Sequence, residues 1–276
     1  MNLVKPTLYA ALAIAQTLLA KSEIELLQPS ELQASYVFEK GPTITPIMFA
    51  FTPGKRSAYI LASGSNSVYI YELSIPVLIN VPIPVGTTPV DLAVTPDGTS
   101  VYVVNSGDNT VSIIDISTNT VISTFAVGTN PQAIGITPNG NFAYVANAGD
   151  NTVSVIDLSS NTITSTIPVG TTPYDLSITS DGTAAYVANM GSNNVSIIDL
   201  SNNTVESTIA VETSPNTILV TKDGLYAYVG YANSNMATKI DLTSHNSKID
   251  LTSSTVSNHT LQNAKSVLQT LFQRNP

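Results

Sequence analysis

Apolar and polar residues alternate in short bursts along most of this chain, and the bursts recur in groups of four. From Asp91 onward they read DLAVT, SVYVVN, TVSIIDIS and TVISTFAV, all rich in Val, Ile, Thr and Tyr. Period-two alternation over such lengths predicts β-strands. Turn chemistry separates them. Thr95-Pro96-Asp97-Gly98 joins a proline that presets φ to a glycine that accepts φ > 0. Gly107-Asp108-Asn109 and Ser117-Thr118-Asn119 supply residues that bond their own main chain and tolerate left-handed backbone.

The group of four is itself repeated. Segments beginning at Val85, Val127 and Val169 align without a gap at a spacing of 42 residues, and a weaker copy starts at Val211. A degenerate upstream copy is legible in Thr45-Pro46, Thr52-Pro53-Gly54, Tyr59 and Asn66, so that five copies span residues 43 to 252. Four short antiparallel strands per period is the signature of propeller blades. A parallel β-solenoid would show shorter coils, and a β-sandwich would not repeat its sequence so closely. Small residues in the first strand (Ala93, Gly135, Ser177) suit a crowded central axis.

The expectation is an all-β fold: a β-propeller of about five four-stranded blades over residues 35–256, with short N- and C-terminal helical segments. A closed five-bladed ring is favoured. The alternative is an open arc, whose free edges would allow self-association.

The ends carry different patterns. Residues 1–22 combine a short basic start, an uncharged stretch from 7 to 20 and small residues at Ala20 and Ser22. This reads as a secretory signal peptide, placing the protein outside the cytoplasm (periplasmic, secreted or on the cell surface). The alternative is an N-terminal helix packed on a cytoplasmic domain. No run is long enough for an integral membrane span. Ser35 to Glu39 reads as an extra strand. Lys239 to Ser244 recurs as Lys248 to Ser253, and the second copy falls where the outermost strand of the last blade should lie. Residues 258–274 place Leu261, Ala264, Val267, Leu268, Leu271 and Phe272 at helical spacing, which predicts a C-terminal amphipathic helix.

Composition narrows the chemistry. Only 11% of residues are charged, against about 25% in ordinary domains, and the net charge is −9. An acidic surface repels phosphate backbones and argues against nucleic acid as a partner. There is no cysteine, which excludes disulfides, thiolate metal sites and Cys nucleophiles. The two histidines, His245 and His259, lie outside the clear repeats, so no imidazole base sits at the centre of the regular blades. There is no G-x-S-x-G elbow, glycine-rich phosphate loop or H-E-x-x-H.

In a propeller, the loops joining successive blades and the turns between second and third strands share one face. Here those are V-G-T-T-P (Val85 to Pro89 and equivalents) and N-x-G-D-N (Asn105 to Asn109, Asn147 to Asn151). Asp91 and Asp175 begin inner strands near that face. Asn105, Asp108, Asn147, Asp150 and Asn189 are the candidate ligand- or metal-binding residues, a polar ring at the channel mouth. Carboxylates and amides together suit a divalent cation such as calcium, or sugar hydroxyls. Their recurrence in successive blades fits a turn role better, because such residues satisfy their own backbone and a catalytic site needs different residues converging on one point. The aspartates of the third strand (Asp115, Asp157, Asp199, Asp241) are one per blade, too far apart to share a metal. No cofactor is expected beyond such a cation.

The repeat carries a family resemblance. Tyr102-Val103-Val104-Asn105, Tyr144-Val145-Ala146-Asn147 and Tyr186-Val187-Ala188-Asn189, with TPDG upstream and an N-T-V-S-I-I-D strand after, resemble the YVTN-type β-propeller repeat. That resemblance implies kinship with archaeal surface-layer proteins and bacterial extracytoplasmic propellers, and distantly with propeller lactonases, which usually have seven blades. The resulting expectation is a non-enzymatic scaffold binding a protein or glycan partner. A metal-assisted hydrolase or lactonase with its site at the channel mouth is the alternative.

Overall fold

The computed structural model describes residues 47–250 except 55, 73–76, 233–236 and 244–246. Five antiparallel four-stranded sheets follow one another along the chain, each a simple meander. The first contains Met48–Phe51, Ser57–Ala62, Ser67–Glu72 and Val77–Pro84 (β1 to β4). The second contains Pro89–Val94, Ser100–Asn105, Thr110–Asp115 and Thr120–Ala126 (β5 to β8). The third contains Pro131–Ile136, Phe142–Asn147, Thr152–Asp157 and Thr162–Pro168 (β9 to β12), and the fourth Pro173–Ile178, Ala184–Asn189, Asn194–Asp199 and Thr204–Ala210 (β13 to β16). The fifth contains Pro215–Val220, Tyr226–Tyr231, Ala237–Asp241 and Ser247–Asp250 (β17 to β20). The duplicated segment expected to close the last blade does so, because β20 pairs antiparallel with β19.

The blades stack through their faces. Val101 and Val103 of β6 point into a cluster with Tyr59, Leu61 and Val68 of the first blade. Tyr102 and Val104, one residue out of phase, point into the next cluster with Ile134, Ala143 and Val145. A middle strand buried on both faces must be apolar at every position, which is why it reads as an unbroken V-Y-V-V run. Two further clusters join blades three to four and four to five.

Two devices pin the lower face, where the T-P-D-G turns lie. A Cβ added to Gly98 would meet Pro53 of the previous blade at 3.1 Å, and Gly182 meets Pro138 at 3.3 Å in the same way. The second device is a clasp. The Tyr59 hydroxyl donates to Asn119 Oδ1 of the next blade (2.6 Å), Tyr102 to Asn161 (2.5 Å) and Tyr144 to Asn203 (2.7 Å). Each acceptor Asn occupies the left-handed region that its turn requires.

Inner strands pack side by side in the order β1, β5, β9, β13, β17. Among the described residues no comparable packing joins β17 back to β1. Tyr228, the fifth of the tyrosine series, is only half-buried where Tyr59, Tyr102, Tyr144 and Tyr186 are buried. Among the described residues the blade-to-blade packing therefore runs from the first blade to the fifth, and the ring closure favoured from the repeat count is not seen in them. The repeat fixes how one blade meets the next but not how many blades complete a turn. Residues 1–22, Ser35 to Glu39 and residues 258–274, for which a signal or helix, a strand and a helix were expected, lie outside the described residues. No described helix is long and apolar enough to cross a membrane.

Candidate functional site

The face opposite the T-P-D-G turns carries the inter-blade loops and the N-x-G-D-N turns. Each loop is capped from one side, and three of the four are held from the other side as well. On one side a left-handed Asn of the preceding blade caps it: Asn66 Oδ1 accepts the Thr88 N–H (3.0 Å), Asn109 that of Asn130 (2.7 Å), Asn151 that of Thr172 (2.8 Å) and Asn193 that of Ser214 (2.9 Å). On the other side the turn of the following blade reaches back. Asp108 accepts from the Thr87 N–H (2.6 Å) and hydroxyl (2.5 Å), Asp150 from the Thr129 N–H (2.6 Å), and Ser192 Oγ from the Thr171 N–H (3.0 Å). The Thr87 hydroxyl, then its N–H, hold the Asp108 carboxyl below its usual 3.8.

The three predicted asparagines lie deeper. Asn105, Asn147 and Asn189 are all 0% exposed. Asn105 Nδ2 donates to Thr110 Oγ1 (3.1 Å) and Ser112 Oγ (2.9 Å); Asn147 does the same with Thr152 and Ser154, and Asn189 with Asn194 Oδ1 and Ser196. The Oδ1 atoms of all three have no hydrogen-bond partner among the described residues. A loop glycine packs against each of these amides: a Cβ at Gly86, Gly128 or Gly170 would lie 2.6, 2.5 or 2.6 Å from the Asn Cγ. The V-G-T and Y-V-x-N motifs are thus two halves of one contact. Of the five predicted site residues, Asp108 and Asp150 are exposed on neighbouring turns of this face, while the three amides are inside the blades.

Asp91 and Asp175, at 2% and 4% exposure, link adjacent inner strands. Asp91 accepts from its neighbour Leu92 N–H and from Ile134 N–H of the next blade, both at 2.9 Å. Asp175 does the same with Leu176 and Ile218, both at 2.8 Å. Among the described residues no group of three or more His, Cys, Asp or Glu is placed to hold a metal ion.

One feature of the site is not visible in any single copy. The ladder skips one residue just after the proline that opens each of four inner strands. Pro89 pairs with Asn105 and Asp91 with Val104, leaving Val90 unpaired. The same bulge extrudes Gln132, Tyr174 and Asn216. A bulge bends its strand and re-aims a side chain. These four positions differ in chemical type between blades, whereas the proline before them does not. That internal variation was the available signal.

The residues from 45 to 210, more than half of the chain, match the model of one family, described as "Lactonase, 7-bladed beta-propeller". The chain belongs to this lactonase family. The match covers the first four blades; the fifth lies beyond it. Among solved structures, this lactonase-family chain is similar to a hydrazine synthase of Kuenenia stuttgartiensis, with 25% identity and a TM-score of 0.71 over 79% of this chain and 68% of that one. It is also similar to a functionally unknown protein of Desulfotomaculum acetoxidans DSM 771, with 20% identity and a TM-score of 0.67 over 75% of this chain and 69% of that one. No curated protein matches.

Proposed function

We propose that the chain is a non-enzymatic propeller scaffold that presents its loop face to a protein or glycan partner, outside the cytoplasm. The observation that carries this reading is that the carboxylates of the face are spent on bracing it. Asp108 and Asp150 each hold a loop backbone, and Asp91 and Asp175 each bridge two strands. A general base works best with a proton affinity near the operating pH, and the hydrogen bonds to Asp108 move it the other way. A face braced in this way is preorganised, which lowers the ordering cost of binding. The extracytoplasmic location rests on the leader-like pattern of residues 1–22 and on the resemblance to YVTN-type surface propellers.

The family match favours a second reading, metal-assisted lactone hydrolysis at the channel mouth with a divalent ion such as calcium. The two separate in one assay: hydrolysis of a panel of aliphatic and sugar lactones by purified protein, with and without added Ca²⁺, Mg²⁺, Mn²⁺ or Zn²⁺. The scaffold reading expects no rate above the metal-matched buffer. Saturable turnover proportional to protein concentration would overturn it.

A further inference from the structure

The bulged residues take little part in bracing the loop face, although Val90 packs at the edge of the cluster between the second and third blades and Gln132 Nε2 donates to Asn130. In chain order they are Val90, Gln132, Tyr174 and Asn216, and Ile47 holds the same place beside Met48 in the first blade, one residue after its proline. Among the described residues only six large hydrophobics are exposed, and two of them, Ile47 at 49% and Tyr174 at 37%, occupy this one position. The outer strands are bulged too, leaving Ile122, Thr164 and Glu206 unpaired, but those sit on the rim of separate blades. The inner bulges are neighbours. A single carboxylate spans from Asp91 to the Ile134 N–H, and another from Asp175 to the Ile218 N–H, so the strand starts carrying Val90 and Gln132, and Tyr174 and Asn216, lie side by side.

We propose that these residues form a binding site for a neutral saccharide, with Tyr174 as the stacking platform and the amides of Gln132 and Asn216 as hydroxyl partners. This rests on the scaffold reading and names its ligand class. The side chains are two aliphatics, two amides and a phenol, with no charge among them. A pyranose presents an apolar C–H face to an aromatic ring, and adjacent hydroxyls match an amide that both donates and accepts. The Tyr174 hydroxyl makes no hydrogen bond within the described residues. Gln132 Nε2 is oriented by Asn130 Oδ1 at 2.6 Å. The exposed Asp108 and Asp150 on the same face, and a net charge of −9, disfavour an anionic ligand.

The test is an NMR titration of the whole protein with neutral hexasaccharides of glucose, N-acetylglucosamine and mannose. Side-chain resonances of Tyr174, Gln132 and Asn216 are followed, and Tyr174→Ala and Asn216→Ala are measured alongside after a thermal melt verifies their folding. The expected result is a saturable shift confined to these three residues for at least one sugar, weakened roughly tenfold or more by Tyr174→Ala, the order of one lost aromatic contact with its hydrogen bond. Saccharide binding that shifts only residues elsewhere, unchanged in Tyr174→Ala, would overturn the site and leave the scaffold reading standing. Silence toward all three sugars would overturn the ligand class. Saturable lactone turnover in the separate assay is the result that removes the reading beneath both.

Discussion

Gly128→Ala probes whether the loop face and the blade interior are one braced unit. Gly128 is not in the left-handed region, so alanine is conformationally allowed there. Restricting the unfolded chain would by itself stabilise by about 0.4–1 kcal/mol. The new Cβ would, however, lie 2.5 Å from Cγ, 2.7 Å from Nδ2 and 2.8 Å from Cβ of Asn147. That side chain is fully buried and tied to Thr152 and Ser154, so it cannot swing aside. Overpacking of this kind costs about 1–3 kcal/mol, which after that gain leaves a net loss of up to about 2.6 kcal/mol. Asn147→Ala alone removes two buried hydrogen bonds and should also cost about 1–3 kcal/mol. In the double variant the contacts with Cγ and Nδ2 are gone and only the 2.8 Å approach to Cβ remains, so most of the clash is relieved. Urea denaturation of the four proteins should therefore give a coupling of at least about 1 kcal/mol. Gly64→Ala is the control, since nothing lies within 4 Å of its added Cβ and it should be neutral or slightly stabilising. Additivity within about 0.5 kcal/mol, or a Gly64→Ala loss equal to that of Gly128→Ala, would refute the coupled brace.

Tyr102→Phe should cost about 1 kcal/mol in denaturant titrations by removing the clasp to Asn161, whereas Tyr228→Phe, whose half-buried side chain has no clasp among the described residues, should cost almost nothing. Thr172→Asn should stabilise by about 0.5–1 kcal/mol in thermal melts, because a β-branched residue there sits at φ 51° while Asn130 holds the equivalent place at φ 50°. Acid should destabilise the fold: Asp108, Asp115, Asp157, Asp199 and Asp223 are held below 3.8, chiefly by donated hydroxyls. Their contribution is complete above the unfolded value and lost as pH falls through the lowered one, so Tm should drop below about pH 4. At the other end, burial pushes Tyr59, Tyr102 and Tyr144 up to about 12, so stability should fall as pH rises above 10, where the unfolded chain ionises first.

Much of this architecture was legible because each blade repeats the same local chemistry. The Tyr-Val-x-Asn strand, the T-P-D-G turn and the N-x-G-D-N turn can each be assigned from propensity and turn preference, and the structure places them as strands and turns in the expected order. What escaped the sequence depends on contacts between distant segments. The polarity of Asn105 suggested a surface residue, but its amide is buried because Gly86, in the preceding loop, leaves room for it. Asp91 resembled a site carboxylate until the Ile134 N–H, 43 positions away, supplied its partner. The bulge at Tyr174 has no signature of its own, since it arises from the register of β13 against β14. Closure was illegible for a related reason, because the identity of one blade-to-blade contact says nothing about their number.

The central claim is a division of labour within the repeats, with constant residues bracing the face and the exposed bulged residue Tyr174 free to recognise a ligand. It is tested most directly by moving other blades' residues into the Tyr174 position. Thermal melts of Tyr174→Val, Tyr174→Gln and Tyr174→Asn are compared with Asp175→Asn, its neighbour in β13. The account predicts that all three swaps stay within about 2 °C of the parent, as exposed substitutions do. Asp175→Asn, which disturbs two buried N–H bonds, should cost about 1–3 kcal/mol and lower Tm visibly. Swaps at Tyr174 as damaging as Asp175→Asn would contradict it, because the bulged residue would then belong to the brace.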